Sequence, residues 1–187
     1  MPELPEVETI RAQLDPLLRG ARITGAWSFP SAKFTDAQLA VGGRITEVRR
    51  RGKYLLIDLA GAGSGTPAEL VIHLGMTGRL SVTESAPDGA HLRATWELDD
   101  QRHLRFDDVR RFGRVAVVAS GEHAALPTLA RLGPEPFDEA FTAEHLRDAV
   151  NRSRRAIKTQ LLSQWVVAGV GNIYADEALW RARVHPA

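Results

Sequence analysis

The chain has 187 residues, no cysteine and a near-even charge balance, 24 Lys and Arg against 23 Asp and Glu. Without cysteine it forms no disulfide and no thiolate metal site. It has no run of 18 apolar residues long enough to span a bilayer.

The first eight residues, Met1-Pro2-Glu3-Leu4-Pro5-Glu6-Val7-Glu8, crowd two prolines and three carboxylates at a terminus. They do not read as a secretory signal, which would start basic, and a cytoplasmic location is the default expectation. Met1 precedes a small residue, so its removal is expected, and Pro2 becomes a free secondary amine. An α-amine titrates near 7.7–8.0 and a lysine near 10.4, so at neutral pH roughly 10% of the first is unprotonated against about 0.04% of the second. Condensed with an aldehyde carbon, a secondary amine gives an iminium with no N–H to lose, an electron sink suited to elimination from a sugar. Glu3 beside it is a candidate proton carrier. Glu6 either meets a ligand or caps the helix that follows.

Residues 5–19 read as a helix with acids in its first turn, where the macrodipole favours them. Gly20 ends it. Short strands follow at 21–30, 44–50 and 54–59, the second alternating polar and apolar residues. Gly42-Gly43 is a turn, and Gly61 to Pro67 a hairpin loop. Strand 69–74 runs into a tight turn in which Gly75 and Gly78 bracket Met76. Segments 91–98 and 102–106 pair across Asp99-Asp100-Gln101, and 115–118 is the last strand. Many short strands at near-regular spacing indicate a sandwich or barrel.

The pattern changes near residue 122. Leu132-Gly133-Pro134-Glu135-Pro136 reads as a linker. Helices are expected at 142–151, at 153–164 with Ser153 as N-cap, and at 173–183, with a glycine-spaced turn over 167–172. The fold class is therefore α+β: an N-terminal β-sandwich with flanking helices over 1–131, then an all-helical domain over 132–187.

Net charge of +1 does not by itself indicate nucleic acid, but its distribution does: segments 44–53, 102–114 and 151–158 hold 14 of the 24 basic residues. Such clusters can form a basic face on a near-neutral protein. Lys53 sits at a turn from which an ammonium reaches a phosphate. His73 ends an apolar strand. Met76, Arg110 and Phe112 supply an apolar wedge, a fork of donors and a flat ring, which is what an opened base step needs when one nucleotide leaves the stack. Asp108 is read as a structural residue that orients the neighbouring arginines. In Gly169-Val170-Gly171-Asn172 the glycines allow backbone N–H groups to approach a phosphate, with the Asn172 amide able to donate to it and Lys158 able to approach another phosphate or the damaged base. His91, His103, His123, His145 and His185 show no metal-ligand spacing.

The string Pro2-Glu3-Leu4-Pro5-Glu6-Val7-Glu8-Thr9 resembles the N-terminal signature of the formamidopyrimidine-DNA glycosylase family. Ile157 to Leu162 and Gly169 to Glu177 resemble that family's helix–two-turn–helix element. The resemblance spans nearly the whole chain. It implies a bifunctional glycosylase and abasic-site lyase that excises oxidised purines such as 8-oxoguanine and formamidopyrimidines in base excision repair. Pro2, Glu3 and Lys53 would be catalytic. His73, Met76, Arg110, Phe112, Lys158 and Asn172 would bind DNA, and Glu6 is a candidate contact to the damaged base. The implied partner is double-stranded DNA with oxidised purines or abasic sites, met by a monomer at the bacterial nucleoid, with no membrane involved. The related endonuclease VIII branch, which acts on pyrimidines, differs at the Met-Arg-Phe positions and in its N-terminal signature. Family members usually carry one structural zinc in a four-cysteine finger beyond the segment matching His185-Pro186. This sequence is either a fragment or a protein without the finger; no cofactor is expected on this chain, and weaker DNA binding than a complete member shows is expected of it. A non-catalytic binder of damaged DNA, or a binding module using only the helix–two-turn–helix, are the competing readings.

Overall fold

A computed structural model describes residues 2–63 and 65–187. Met1, whose removal is expected, and Ser64, within the expected hairpin loop, lie outside the described residues. The first element is α1 (Leu4–Leu18), whose residues Val7, Leu14 and Leu18 recur at helical spacing and are buried. Its entry is fixed by a capping box, in which the Glu3 backbone N–H donates to Glu6 Oε2 at 2.9 Å. Of the two roles open to Glu6, the cap is the one visible here.

Eight antiparallel strands follow among the described residues, in two four-stranded sheets. β1 (Ile23–Ser28), β6 (Leu92–Leu98), β7 (His103–Asp108) and β5 (Gly78–Thr83) form one, in that spatial order. β2 (Arg44–Arg51), β3 (Tyr54–Ala62), β4 (Thr66–His73) and β8 (Arg114–Ala119) form the other. Period-two alternation decides the faces. Leu55, Ile57 and Leu59 of β3, Leu70 and Ile72 of β4 and Val115 of β8 point into the main core with Trp96, Phe34 and Phe106. Their alternates Leu56, Val71 and Ala116 point the other way, onto Leu126 and Leu129. Leu129 lies in the four-residue α2 (Pro127–Ala130). The sandwich is thus covered on one outer face by the chain leaving β8.

Besides α2, which no sequence signal announced, three elements differ from the sequence reading. β5 occupies a stretch in which only the turn was expected; Gly78 is both the end of that turn and the first strand residue. A short 3-10 helix, Thr35–Ala40, was not anticipated and buries Ala37 and Ala40. The helix expected from Ser153 starts later, as α4 (Ile157–Leu162), with Ala156 as N-cap. Ser153 instead closes a local turn, its Oγ accepting from the Arg155 N–H at 3.2 Å.

The remaining helices are α3 (Ala143–Asn151), capped by Thr142 accepting from the His145 N–H, and α5 (Asn172–Ala182). α4, α5 and the turn between them bury a small core of Leu161, Val166, Val167, Ala175 and Leu179, against which Leu146 and Val150 of α3 pack. Between this core and the sandwich, 132–136 is pinned. Glu135 accepts from Arg50 at 2.6 Å, Arg51 at 2.9 Å and the Gly52 N–H at 2.7 Å. Burial works to raise the Glu135 pKa, but the Gly52 N–H and the two guanidinium groups outweigh it and hold it low.

Candidate active site

The N-terminal signature meets the start of α5. Glu3 is 2% exposed. Its carboxylate accepts the backbone N–H groups of Gly171 at 2.8 Å, Ile173 at 2.8 Å and Tyr174 at 3.2 Å. These are the orphan donors at the start of α5, where the helix dipole favours an anion. A second tie runs from the Leu4 N–H to the Gly169 carbonyl at 3.1 Å. Glycine is required at both positions. A Cβ on Gly171 would lie 2.3 Å from Glu3 Cδ, and one on Gly169, at φ +84°, would lie 2.5 Å from Leu4. Pro2 precedes this anchor directly and is partly buried.

This corrects one expectation. The N–H groups of 171, 173 and 174 are occupied by Glu3, so they hold the protein's own carboxylate rather than a phosphate. Asn172 remains exposed at the first position of α5. Lys158 is paired with Asp176 at 2.7 Å, so its charge is not fully available to DNA.

Lys53 is buried, not an exposed hairpin residue. Burial lowers its pKa, and the charge of Glu3 partly restores it. Among the described residues its ammonium makes no hydrogen bond and no close ion pair, which leaves it free to meet an anion. His73 packs against the Tyr54 ring at 4.7 Å, and its Nδ1 accepts from the Gly75 N–H at 3.2 Å. The ring proton therefore sits on Nε2. Burial, with the Lys53 charge second, pushes the His73 pKa down to about 4, so the ring is neutral at physiological pH.

Met76 and Phe112 are 41% and 50% exposed, which excludes core roles for both. The loops that carry them are joined by Asp108, which is fully buried. Its Oδ1 accepts from the Thr77 hydroxyl at 2.6 Å and its Oδ2 from the Gly113 N–H at 2.7 Å, while Thr77 Oγ1 accepts from the Arg110 N–H at 3.1 Å. Asp108 is structural, as expected: its side chain orients backbone and a threonine, and its backbone carbonyl accepts from the Arg93 Nε–H at 2.8 Å. The Arg110 guanidinium stacks over the Phe112 ring at 4.7 Å, and Lys33 Nζ donates to the Arg111 carbonyl at 2.8 Å. Met76, Arg110 and Phe112 thus share one exposed edge. Thr77 and Lys33, which organise it, were not singled out from sequence.

The expected basic face is smaller than its count. Arg49 pairs with Asp58 and Glu69, and Arg50 with Glu8 and Glu135, while Arg51 also reaches Glu135. In the turn that follows these three arginines, Lys53 is left without such a pair among the described residues. The chain has no cysteine, so these residues offer no thiolate ligand. No three His, Asp or Glu side chains converge as a metal set among the described residues.

Comparison with known proteins agrees with this arrangement. Residues 1–115 match the formamidopyrimidine-DNA glycosylase N-terminal domain, and residues 132–187 match the formamidopyrimidine-DNA glycosylase H2TH domain. The chain is 46% identical to a formamidopyrimidine-DNA glycosylase of Deinococcus radiodurans over 191 residues, covering all of this chain and 66% of that protein. The crystal structure of the MutM (Fpg) protein from Thermus thermophilus superposes with a TM-score of 0.88 at 46% identity, covering 99% of this chain and 66% of that one. The Lactococcus lactis enzyme, solved non-covalently bound to DNA containing an AP site, superposes with a TM-score of 0.86 at 32% identity, covering 98% of this chain and 71% of that one. The chain therefore spans about two thirds of the length of the relatives it matches. With both its sandwich and its helical part matched, it belongs to the formamidopyrimidine-DNA glycosylase family.

Proposed function

We propose that the chain carries the chemistry of a bifunctional DNA glycosylase and abasic-site lyase acting on oxidised purines in duplex DNA. Its catalytic sandwich would be 1–131 and its DNA-gripping part 132–187. The observation that carries the reading is the seating of Glu3 on the start of α5, which fixes Pro2 where the two parts meet, near the Lys53 charge.

In this reading the Pro2 nitrogen lone pair forms a bond to the sugar C1′ as the bond to the base breaks, and the departing base takes a proton from water. The Pro2 N–H proton passes to the Glu3 carboxylate, which delivers it to O4′ as the C1′–O4′ bond opens, leaving an iminium between Pro2 and C1′. That cation drains the electrons released when a C2′ proton is lost and the 3′ phosphate departs. A second elimination releases the 5′ phosphate. Lys53 and His73 Nε2–H hold the phosphates beside the reacting sugar. Met76, Arg110 and Phe112 fill the space the extruded base leaves. Amine chemistry of this kind needs no cofactor on this chain. The setting is the bacterial cytoplasm, and the working form a monomer.

Borohydride reduction in the presence of an abasic duplex tests the reading. Removal of Met1 followed by trapping yields a covalent protein–DNA adduct, and a form that retains Met1 yields none. Binding of the same duplex without any adduct would identify a non-catalytic binder instead.

A further inference from the structure

One face of the sandwich has no role in that chemistry. The β1-β6-β7-β5 sheet turns Trp96, Leu104 and Phe106 into the core, and their alternates Thr95, Glu97, His103 and Arg105 onto its outer face. Antiparallel pairing sets Trp27 opposite Thr95 and Gly25 opposite Glu97, with His103 on the other side of Glu97. Two polar atoms on this face are orphaned. Thr95 is 9% exposed, and its Oγ1, like His103 Nδ1, is buried with no hydrogen-bond partner among the described residues. Buried polar groups are nearly always paired and are costly when they are not, so two on one face ask for a ligand.

Both residues line a cavity of about 440 Å3 together with Trp27, Pro87, Leu92 and Glu97. The Trp27 side chain is 45% exposed, and its indole has no ring or cation partner among the described residues. The Glu97 carboxylate leans over Gly25, where a Cβ would lie 2.7 Å from its Oε2. Among the described residues that carboxylate makes no hydrogen bond and no ion pair. No lysine or arginine lines the cavity, and Arg105 beside it is held by Asp107. A phosphate there meets a carboxylate and is repelled. A simple ammonium satisfies Glu97 but leaves Thr95 and His103 unpaired. A flat heteroaromatic ring with N–H donors on one edge and acceptors on the next satisfies all three and stacks on the indole.

We infer that this cavity binds a guanine-type base, a 6-oxopurine, as the free base or the nucleoside. Strand side chains stand roughly perpendicular to the sheet, so a ring stacked on Trp27 turns one edge down to Thr95 and His103. The acceptors O6 and N7 lie on that edge, and the Thr95 O–H and His103 Nδ1–H donate to them. The N1–H and 2-amino groups lie on the adjoining edge and donate to the two oxygens of Glu97, a charge-assisted pair. Adenine has a lone pair at N1, which Glu97 repels, and an amino group where O6 would accept. Lys53 and His73 belong to the other sheet, so the site is separate from the Pro2 cleft. An 8-oxo base carries N7–H, which the other tautomer of His103 accepts, so the base released by the proposed excision fits the same place. That last point rests on the proposed function; the guanine site does not.

Titration of guanosine and of adenosine into the isotope-labelled chain tests it, with amide and indole N–H shifts to locate the site and calorimetry for affinity. Guanosine binds saturably and moves Gly25, the Trp27 indole, Thr95 and Glu97, and adenosine binds about 10-fold more weakly or worse. Glu97→Gln, which exchanges one acceptor for a donor, weakens guanosine about 10-fold and erases the preference over adenosine. Thr95→Val weakens guanosine roughly 5-fold, while the free variant is no less stable to urea than wild type, because the hydroxyl it removes was unpaired. Guanosine that fails to saturate in the millimolar range overturns the site. So do equal binding of adenosine, unchanged affinity in Glu97→Gln, and shifts confined to Lys53, Met76 and Phe112. A chain that retains Met1, in which the proposed chemistry is blocked, binds guanosine as the processed chain does. Guanosine binding without any borohydride adduct on abasic DNA would keep this site and sink the Pro2 chemistry; an adduct without guanosine binding would do the reverse.

Discussion

The carboxylate of Glu3 accepts the N–H of Gly171 at 2.8 Å across 168 positions of sequence. The contact makes the N-terminal signature and the glycine-spaced turn one structural unit. Gly171→Ala puts a Cβ into that carboxylate and forces the two apart. Overpacking of this kind costs roughly 1–3 kcal/mol. Urea unfolding should show that loss, and abasic-site cleavage should fall further than stability alone explains, because Pro2 moves with Glu3. Glu3→Gln keeps the volume but turns an NH2 group toward backbone donors. It should cost about 2 kcal/mol of stability and on the order of 100-fold in base excision.

Thr77 is the shared partner of Asp108 and Arg110. Thr77→Val removes one bond to a buried carboxylate and one from the Arg110 N–H. A stability loss of about 2 kcal/mol is expected. The sharper readout is discrimination of the base opposite the lesion, which should relax because the Met76 and Phe112 loops are less firmly tied to each other. Lys33→Met, which frees the Arg111 carbonyl, should relax discrimination with less effect on unfolding. Excision rates on duplexes with each of the four opposite bases measure both.

His73 makes stability depend on pH. Its folded pKa of about 4 lies below the ordinary value of 6.5, so protonation favours the unfolded chain. Above pH 6.5 the group costs nothing; as pH falls from 6.5 toward 4 the folded state loses stability, to a limit of about 3 kcal/mol. The wild type should lose stability to urea between about pH 7 and pH 5, and His73→Gln should lose less over that range. The window lies above the carboxylate range, so the acids paired with arginine contribute little to the difference between the two proteins.

Affinity for DNA should fall steeply with salt, because released counterions supply much of it. Lys53→Met should flatten the slope of log affinity against log salt by about one unit if its ammonium meets a single phosphate. Arg50→Met should leave that slope unchanged, since Arg50 is committed to Glu8 and Glu135. Titration at several salt concentrations distinguishes the two.

Much of the fold was legible where a periodic pattern is local. α1, the strand pairs around Leu55 and Ile57, and the hairpin over Asp99 to Gln101 follow from spacing and turn residues. β5 was missed because Gly75 and Gly78 punctuate the stretch, although Leu80 and Val82 alternate with polar residues. The start of α4 was misplaced because Ser153 serves a turn as readily as a cap. In the site, residue types were informative and partners were not. Arg49, Arg50 and Arg51 read as free charge because Glu69 and Glu135 are distant in sequence. The N–H groups of α5 read as a phosphate cradle because nothing local says that Glu3 fills it.

In the proposed chemistry the terminal nitrogen of Pro2, and not a lysine, becomes bonded to deoxyribose. Lys53 is the natural competitor, since burial lowers its pKa and its charge interacts with that of Glu3. The most direct measurement is peptide mapping by mass spectrometry of the adduct formed with an abasic duplex under borohydride. The sugar mass is expected on the peptide beginning at Pro2, with the Lys53 peptide unmodified. An adduct on the Lys53 side chain, or none on a chain that has lost Met1 and binds the duplex, would contradict it.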